Sequence, residues 1–343
     1  MRRMLKVVMS MMLISSLVCG CTSSGTDGSN GSTSVPVEYS DVQEYFNVPI
    51  SVKAYGENSE EATKLAFERV AQLEVVFSNT IQDSEVNYVN SNAFETSVEV
   101  SSDFKTVLDT SLYYSNLTDG AFDFTIDDLI SLWGIGTDNP KVPTNDEISK
   151  YVNLKDYENI LVDGSSVRFS SNTVKLNFGA ISKGYIADEM KKVLLENGVT
   201  SAILNLGGNV SAIGTKPSGK LWSVAITDPN DTSNYVCSLK VDDMSVVTSG
   251  DYEKYFVQDG KKYHHILDTS TGYPADNGIS SVTIVGDNGI DCDALSTACF
   301  VLGEEKALTL IESIEGYDAI IILNDGSIKT TSNVQDYQFS EMA

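Results

Sequence analysis

The chain is predicted to adopt an α+β fold of mixed, largely antiparallel sheets flanked by helices, and three observations carry that expectation. Strand-like runs at 201–206, 222–227, 235–241, 279–285 and 318–323 come in consecutive clusters, which argues for antiparallel pairing over a regular βαβ alternation. Helical periodicity is confined to 59–77, 102–116, 185–197, 291–302 and 304–315. No internal repeat is present, and 343 residues with ample apolar content are enough for a packed core without staples.

The N-terminus reads as a processing signal. Arg2, Arg3 and Lys6 precede an apolar stretch over 7–18 that is too short to span a bilayer. It ends Val18-Cys19-Gly20-Cys21, which resembles a bacterial lipobox with Cys21 as the lipid-bearing residue. Cys19 is the alternative, with bulky Val18 at the cleavage edge, and an ordinary cleaved leader is the other reading. Residues 22–34 are Ser, Thr, Gly, Asn and Asp with nothing apolar to bury, so they serve as a tether. The organisation expected is a leader over 1–20, a lipid-anchored tether over 21–40 and a domain over 41–343, placed outside the cytoplasm on a membrane surface.

The elements follow in order. Residues 44–56 alternate as a strand. From 59 to 77, Ala62, Leu65, Ala66, Val70, Leu73, Val76 and Phe77 fall on one helical face behind a Ser59 cap. A second helix runs from Ser102 to Asn116. Gly198 and Gly303 stop the helices at 185–197 and 291–302. The formal charge of −25 excludes electrostatic capture of nucleic acid, and leader removal makes it more negative. An anionic small substrate then needs local help from a metal ion or aimed amides. Cys237, Cys292 and Cys299 show no ligand spacing and read as small buried hydrophobes.

The run Val247-Thr248-Ser249-Gly250-Asp251-Tyr252-Glu253, followed by Tyr263-His264-His265-Ile266-Leu267-Asp268, gathers hydroxyls, carboxylates and both histidines at a strand-turn-strand reading. Asp119-Gly120-Ala121-Phe122-Asp123 is a Gly-bounded turn that could seat a flat heterocycle, with Trp133 nearby as either contact or core. In Asn177-Phe178-Gly179-Ala180-Ile181-Ser182-Lys183-Gly184, small residues allow close backbone approach and Lys183 could neutralise a phosphate, or be a solvent lysine at a helix start. Leu206-Gly207-Gly208-Asn209 lacks the GxGxxG pattern and reads as a tight turn between strands. In Asp291-Cys292-Asp293-Ala294-Leu295-Ser296-Thr297, a helix sets Asp293, Ser296 and Thr297 at i, i+3 and i+4, an oxygen patch that suits Mg²⁺. The alternative there is N-capping by Asp291, with Asp293 favouring the helix dipole.

In order and character, Gly120-Ala121-Phe122-Asp123, Gly179-Ala180-Ile181-Ser182-Lys183-Gly184, Asn205-Leu206-Gly207-Gly208-Asn209, Thr248-Ser249-Gly250-Asp251-Tyr252-Glu253, His265-Ile266-Leu267-Asp268 and Asp293-Ala294-Leu295-Ser296-Thr297 resemble the signatures of the ApbE family, the FAD:protein FMN transferases. The resemblance runs from about 42 to 325. It implies a T-fold-like architecture and a Mg²⁺-dependent enzyme. Such an enzyme cleaves the FAD pyrophosphate, attaches FMN to a threonine or serine of an acceptor flavoprotein, and releases AMP. Carried over by position, Ala121, Phe122, Asp123, Asn177, Lys183 and Ile266 line the FAD site. Asp293, Ser296 and Thr297 ligate the metal with the Ala180 carbonyl, and His265 takes the proton of the acceptor hydroxyl. Trp133 and Tyr252 are further candidates to pack on flavin or adenine. An acidic protein needs a cation to hold a pyrophosphate, and a helix starting near Asp291 could add its positive end.

The chain departs from the family pattern at several positions. Phe124 stands within the usual Phe-Asp-Pro-Thr, Asp127-Asp128 where Gly-Pro is common, Asn177 where many members carry Asp, Thr269 for a usual proline, and Thr80 where an aromatic is frequent. Two other functions use the same residues: a Mg²⁺-dependent FAD pyrophosphatase with water as acceptor, and a non-catalytic flavin-binding lipoprotein.

Overall fold

The computed structural model describes residues 37–342, so the leader and all but the end of the tether lie outside the described residues. The folded unit starts earlier than residue 41. Strand β1 (Glu38–Tyr45) pairs along its whole length with β2 (Val48–Tyr55), and Phe46 and Asn47 between them have φ of 52° and 59°. The single strand expected over 44–56 is therefore a hairpin. Its two-residue turn carries no glycine to announce it, and the Phe46 N–H donates to Glu74 Oε1 at 2.6 Å.

Helix α1 (Ser59–Phe77) has the bounds its periodicity predicts and buries Ala62, Ala66, Phe67, Val70, Leu73 and Phe77. Ser59 is not its cap; Asn58 precedes the helix without a side-chain cap bond, and Ser59 is buried in the first turn. Then come α2 (Glu85–Asn92), β3 (Val98–Glu99) and α3 (Ser102–Leu117), with α2 and α3 capped by Ser84 and Ser101. Two short helices, α4 (Asp127–Trp133) and α5 (Asn145–Ile148), lead to the hairpin β4 (Ile160–Asp163) and β5 (Ser166–Phe169). Helix α6 (Ser182–Glu196) begins three residues before its predicted start.

The second half holds β6 (Ser201–Leu206), β7 (Asn209–Ile213), β8 (Trp222–Thr227), β9 (Tyr235–Val241) and β10 (Ser245–Gly250). Gly207 and Gly208 form the expected tight turn, with φ of 60° and 105°. Two ribbons follow: β11 (Tyr255–Gln258) with β12 (Lys261–His264), and β13 (Leu267–Asp268) with β14 (Tyr273–Pro274). The chain ends with β15 (Ile279–Gly286), α7 (Gly289–Leu302), α8 (Glu304–Glu312), β16 (Tyr317–Leu323), β17 (Ile328–Thr330) and β18 (Ser340–Glu341).

The α+β reading holds. Eight strands form one antiparallel sheet in the order β1-β2-β6-β7-β10-β15-β16-β17. Period-two alternation sends Leu204, Val247, Val282, Ile284 and Ile321 into the main core with α1, α3, α6 and α7. It sends Val246, Val285, Ile320 and Ile322 into a second core beneath the β8-β9-β18 sheet. All of β15 is buried because both its faces are covered. A third cluster of Leu129, Trp133, Ile148 and Leu267 ties α4 and α5 to the β13-β14 ribbon. Cys237, Cys292 and Cys299 are buried free thiols, as expected.

Candidate active site

Helices α6 and α7 cross where Gly184 faces Gly289. A Cβ on Gly184 would lie 2.1 Å from the Gly289 carbonyl oxygen, so only glycine permits this approach. The crossing brings the first turn of α6 against Asp293 in the second turn of α7. The Gly184 N–H donates to Asp293 Oδ2 at 2.9 Å. In a regular helix that N–H would return to the Ala180 carbonyl; here it is diverted, and among the described residues no other backbone N–H takes the Ala180 oxygen. Asp293, 2 % exposed, accepts at Oδ1 from Asn209 Nδ2 at 3.0 Å, and Lys183 Nζ lies 3.9 Å from the same oxygen.

The hydroxyls beside it form an ordered chain. Ser296 Oγ donates to the Asp293 carbonyl at 2.9 Å, so its 2.8 Å contact with Ser249 Oγ has Ser249 as donor. The 3.2 Å contact of Ser249 with Thr297 then has Thr297 donating, which leaves both lone pairs of Thr297 Oγ1 free. One carboxylate, a freed carbonyl and a hydroxyl with open lone pairs make a hard-oxygen set. Among the described residues there is no cluster of three or more His, Cys, Asp or Glu able to hold a metal, so any cation here rests on this one-carboxylate arrangement.

The two histidines separate to opposite roles. His264 is buried, with Nε2 donating to the Ala275 carbonyl at 3.0 Å and Nδ1 accepting from the Ile266 N–H at 3.3 Å. His265 is half-buried, and its Nδ1 lies 3.3 Å from the Lys254 carbonyl, which assigns the proton to Nδ1 and leaves Nε2 as the free acceptor. Burial, helped by the nearby Lys254, His264 and Lys183, lowers its pKa and favours the neutral ring.

The loop before α6 and the segment leading into α4 come together at Asn177. Asn177 accepts from the Gly179 N–H at 2.9 Å, donates its own N–H to the Phe124 carbonyl at 2.7 Å, and gives Nδ2 to Asp127. Asp123 accepts from the Thr125 N–H and hydroxyl at 2.8 and 2.6 Å, yet burial raises its pKa to about 6.

The sequence model of the ApbE family matches residues 46–321. The chain belongs to the ApbE family. Over 90% of its length it is 32% identical to a FAD:protein FMN transferase of Treponema pallidum, covering 91% of that protein. A Klebsiella pneumoniae protein of the same name is 34% identical over 86% of this chain and 92% of its own. Among solved structures, the ApbE protein of Thermotoga maritima superposes with a TM-score of 0.81 at 31% identity, over 88% of this chain and 99% of the other. The apo flavinyl transferase ApbE of Pseudomonas stutzeri gives 0.78 at 28% identity, over 88% and 97%.

Within this ApbE fold, some expected contacts take a different form. Phe122 is fully buried, its ring 6.5 Å from Phe124 and packed in the aromatic core, so only its backbone can face a ligand. Ile266 is buried as well, with its carbonyl taken by the Ala275 N–H. Trp133 does not offer a stacking face: it is sealed between Tyr263 and Tyr273, and Nε1 donates to the Gly272 carbonyl at 2.9 Å. Tyr252 stays partly exposed, and its ring occupies the space that a side chain on Gly250 would need.

Helix α7 starts at Gly289, so Asp291 is not its cap; Asp291 Oδ2 instead accepts from the Tyr317 hydroxyl at 2.7 Å. The helix end is capped from α6, where Asp188 accepts from the Gly289 and Ile290 N–H groups at 2.7 and 2.9 Å. That carboxylate occupies the positive end expected to face a pyrophosphate. Sequence reasoning gave no role to Asp188, Asn209 or Ser249. Each lies inside or beside a quoted motif, but its partner is distant along the chain.

Proposed function

We propose that this flavin transferase is Mg²⁺-dependent, cleaves the FAD pyrophosphate, transfers FMN to a serine or threonine of an extracytoplasmic acceptor protein and releases AMP. The observation that carries the reading is the diversion of the Gly184 N–H to Asp293, which frees the Ala180 carbonyl at the start of the turn that meets Asp293. Those groups, with Ser296, would hold Mg²⁺, which supplies charge neutralisation for the phosphoryl oxygens when bound. Lys183, 3.9 Å from Asp293, adds a cationic point charge at the same place.

The acceptor hydroxyl oxygen forms the new bond to the FMN phosphorus as the bond to the AMP oxygen breaks. The hydroxyl proton passes to His265 Nε2, the ring nitrogen left as acceptor by the Nδ1 contact with the Lys254 carbonyl. Asp123 and the Asn177–Asp127 pair offer acceptors and donors for the flavin edge. The leader over 1–20, with Cys21 directly after it, supports a membrane-anchored, extracytoplasmic enzyme.

The test is incubation of the chain from Val35 onward with FAD, Mg²⁺ and a candidate acceptor domain, reading AMP release and acceptor mass. AMP with one FMN added to the acceptor establishes the transferase. AMP with free FMN makes it a pyrophosphatase, and no AMP leaves a binding protein.

A further inference from the structure

Asn209 sits at the first position of β7, 1 % exposed, between the Gly207-Gly208 turn and the second turn of α7. Its amide is half satisfied. Nδ2 donates to Asp293 Oδ1 at 3.0 Å, whereas Oδ1 is buried with no hydrogen-bond partner. The alternative amide orientation would set two acceptors against each other, so the free atom is the oxygen. A buried carbonyl oxygen left unpaired is costly, and such groups are retained where something else completes them. Gly184 serves the other carboxylate oxygen of Asp293, so Nδ2 accounts for the donor half of the Asn209 amide and leaves its oxygen unexplained.

We propose that Asn209 belongs to the cation site as a positioning residue: it holds Asp293 through Nδ2 and accepts at Oδ1 a hydrogen bond from a water carried by the bound ion. The inference rests on the cation reading above. Mg²⁺ gives up its water reluctantly and keeps several molecules when few protein ligands are present, as with this one-carboxylate set. Water on a divalent ion is a strong donor, and an acceptor placed beside the carboxylate holds it. An amide does both tasks, orienting the ligand and receiving the water, where a second carboxylate would repel Asp293 and a hydroxyl is too short to span the two.

The test measures Mn²⁺ binding to the chain from Val35 onward by electron paramagnetic resonance, without FAD and without turnover. Asn209→Leu, alike in branching but unable to donate or accept, is expected to weaken Mn²⁺ binding 10- to 100-fold, the usual loss for a group behind a metal ligand. Asn209→Gln, with the same groups displaced, is expected to fall between the two. Affinity within twofold of the parent for a folded Asn209→Leu overturns the proposal. Should that variant not fold, a crystal of the parent soaked in Mn²⁺ decides: an anomalous peak linked to Asn209 Oδ1 through one water supports it, and an ion with no such water overturns it. If the parent binds no Mn²⁺, the cation reading itself fails.

Discussion

Asn177 Nδ2 donates to Asp127 Oδ1 at 2.7 Å, which joins two positions that look unrelated in the sequence. Each departs from the family signature: an amide where a carboxylate is common, and a carboxylate where a Gly-Pro turn is common. Burial raises the pKa of Asp127, and the Asn177 amide opposes that rise. The acidic group is thus present in this chain, carried from the α4 side. Asn177→Asp alone sets two carboxylates against each other and should raise the KM for FAD. Asn177→Asp with Asp127→Asn should recover most of the loss, a coupling of roughly 1–2 kcal/mol for residues in contact. Strictly additive KM changes in steady-state assays would remove the pair from flavin binding.

Asp293 is held by Gly184 and Asn209, so shortening it does more than remove a ligand. Asp293→Ala leaves two buried donors unpaired, at about 1–3 kcal/mol each, and should lower Tm as well as abolish Mg²⁺-dependent turnover. Asp293→Asn keeps the shape and one acceptor, and should lose turnover with a smaller drop in Tm. Calorimetry beside AMP release separates the effects, and a fully active Asp293→Asn enzyme would take Asp293 out of the ligand set.

Burial lowers the pKa of His265, which favours the neutral ring that accepts a proton. His265→Ala should slow transfer far more than it weakens FAD binding, by a factor of about 10²–10⁴ for a general base, without erasing any acid limb near pH 6. Among the residues proposed to contact the flavin, Asp123 has a pKa raised to about 6. An acid limb of kcat/KM should therefore disappear in Asp123→Asn; its loss in His265→Ala instead would reassign it.

Asp188 gives a stability prediction. Its pKa is raised from 3.8 to about 6 because burial outweighs the two amide bonds it accepts. A raised folded pKa contributes stability that is complete below the unfolded value and lost as pH climbs through the folded one. Parent stability relative to Asp188→Asn should therefore rise as pH falls from 7 to 4, by up to about 3 kcal/mol. Denaturant titrations at both pH values check it, and an unchanged difference would mean that Asp188 titrates normally.

Where burial is one-sided, the sequence by itself determined the element: α1, β6, β8 and β9 have the bounds their periodicity indicates, because one apolar face per turn or per pair of residues leaves a period in the text. The α+β class and the order of the site motifs were legible for the same reason, since each motif is a contiguous local run. Tertiary structure alone decided the rest. The β1-β2 turn closes through Phe46 and Asn47, residues that do not advertise positive φ, while Glu74 from α1 holds it. The cap of α7 comes from Asp188, 101 residues away from Gly289, and Trp133 became core only when Gly272 closed over its indole. The Ala180 carbonyl is free because Gly184 donates to Asp293 across 109 residues of chain, a contact that exists only when two glycines let α6 and α7 touch. Periodicity records what a residue does to its own neighbours; hydrogen bonds between distant segments leave no period.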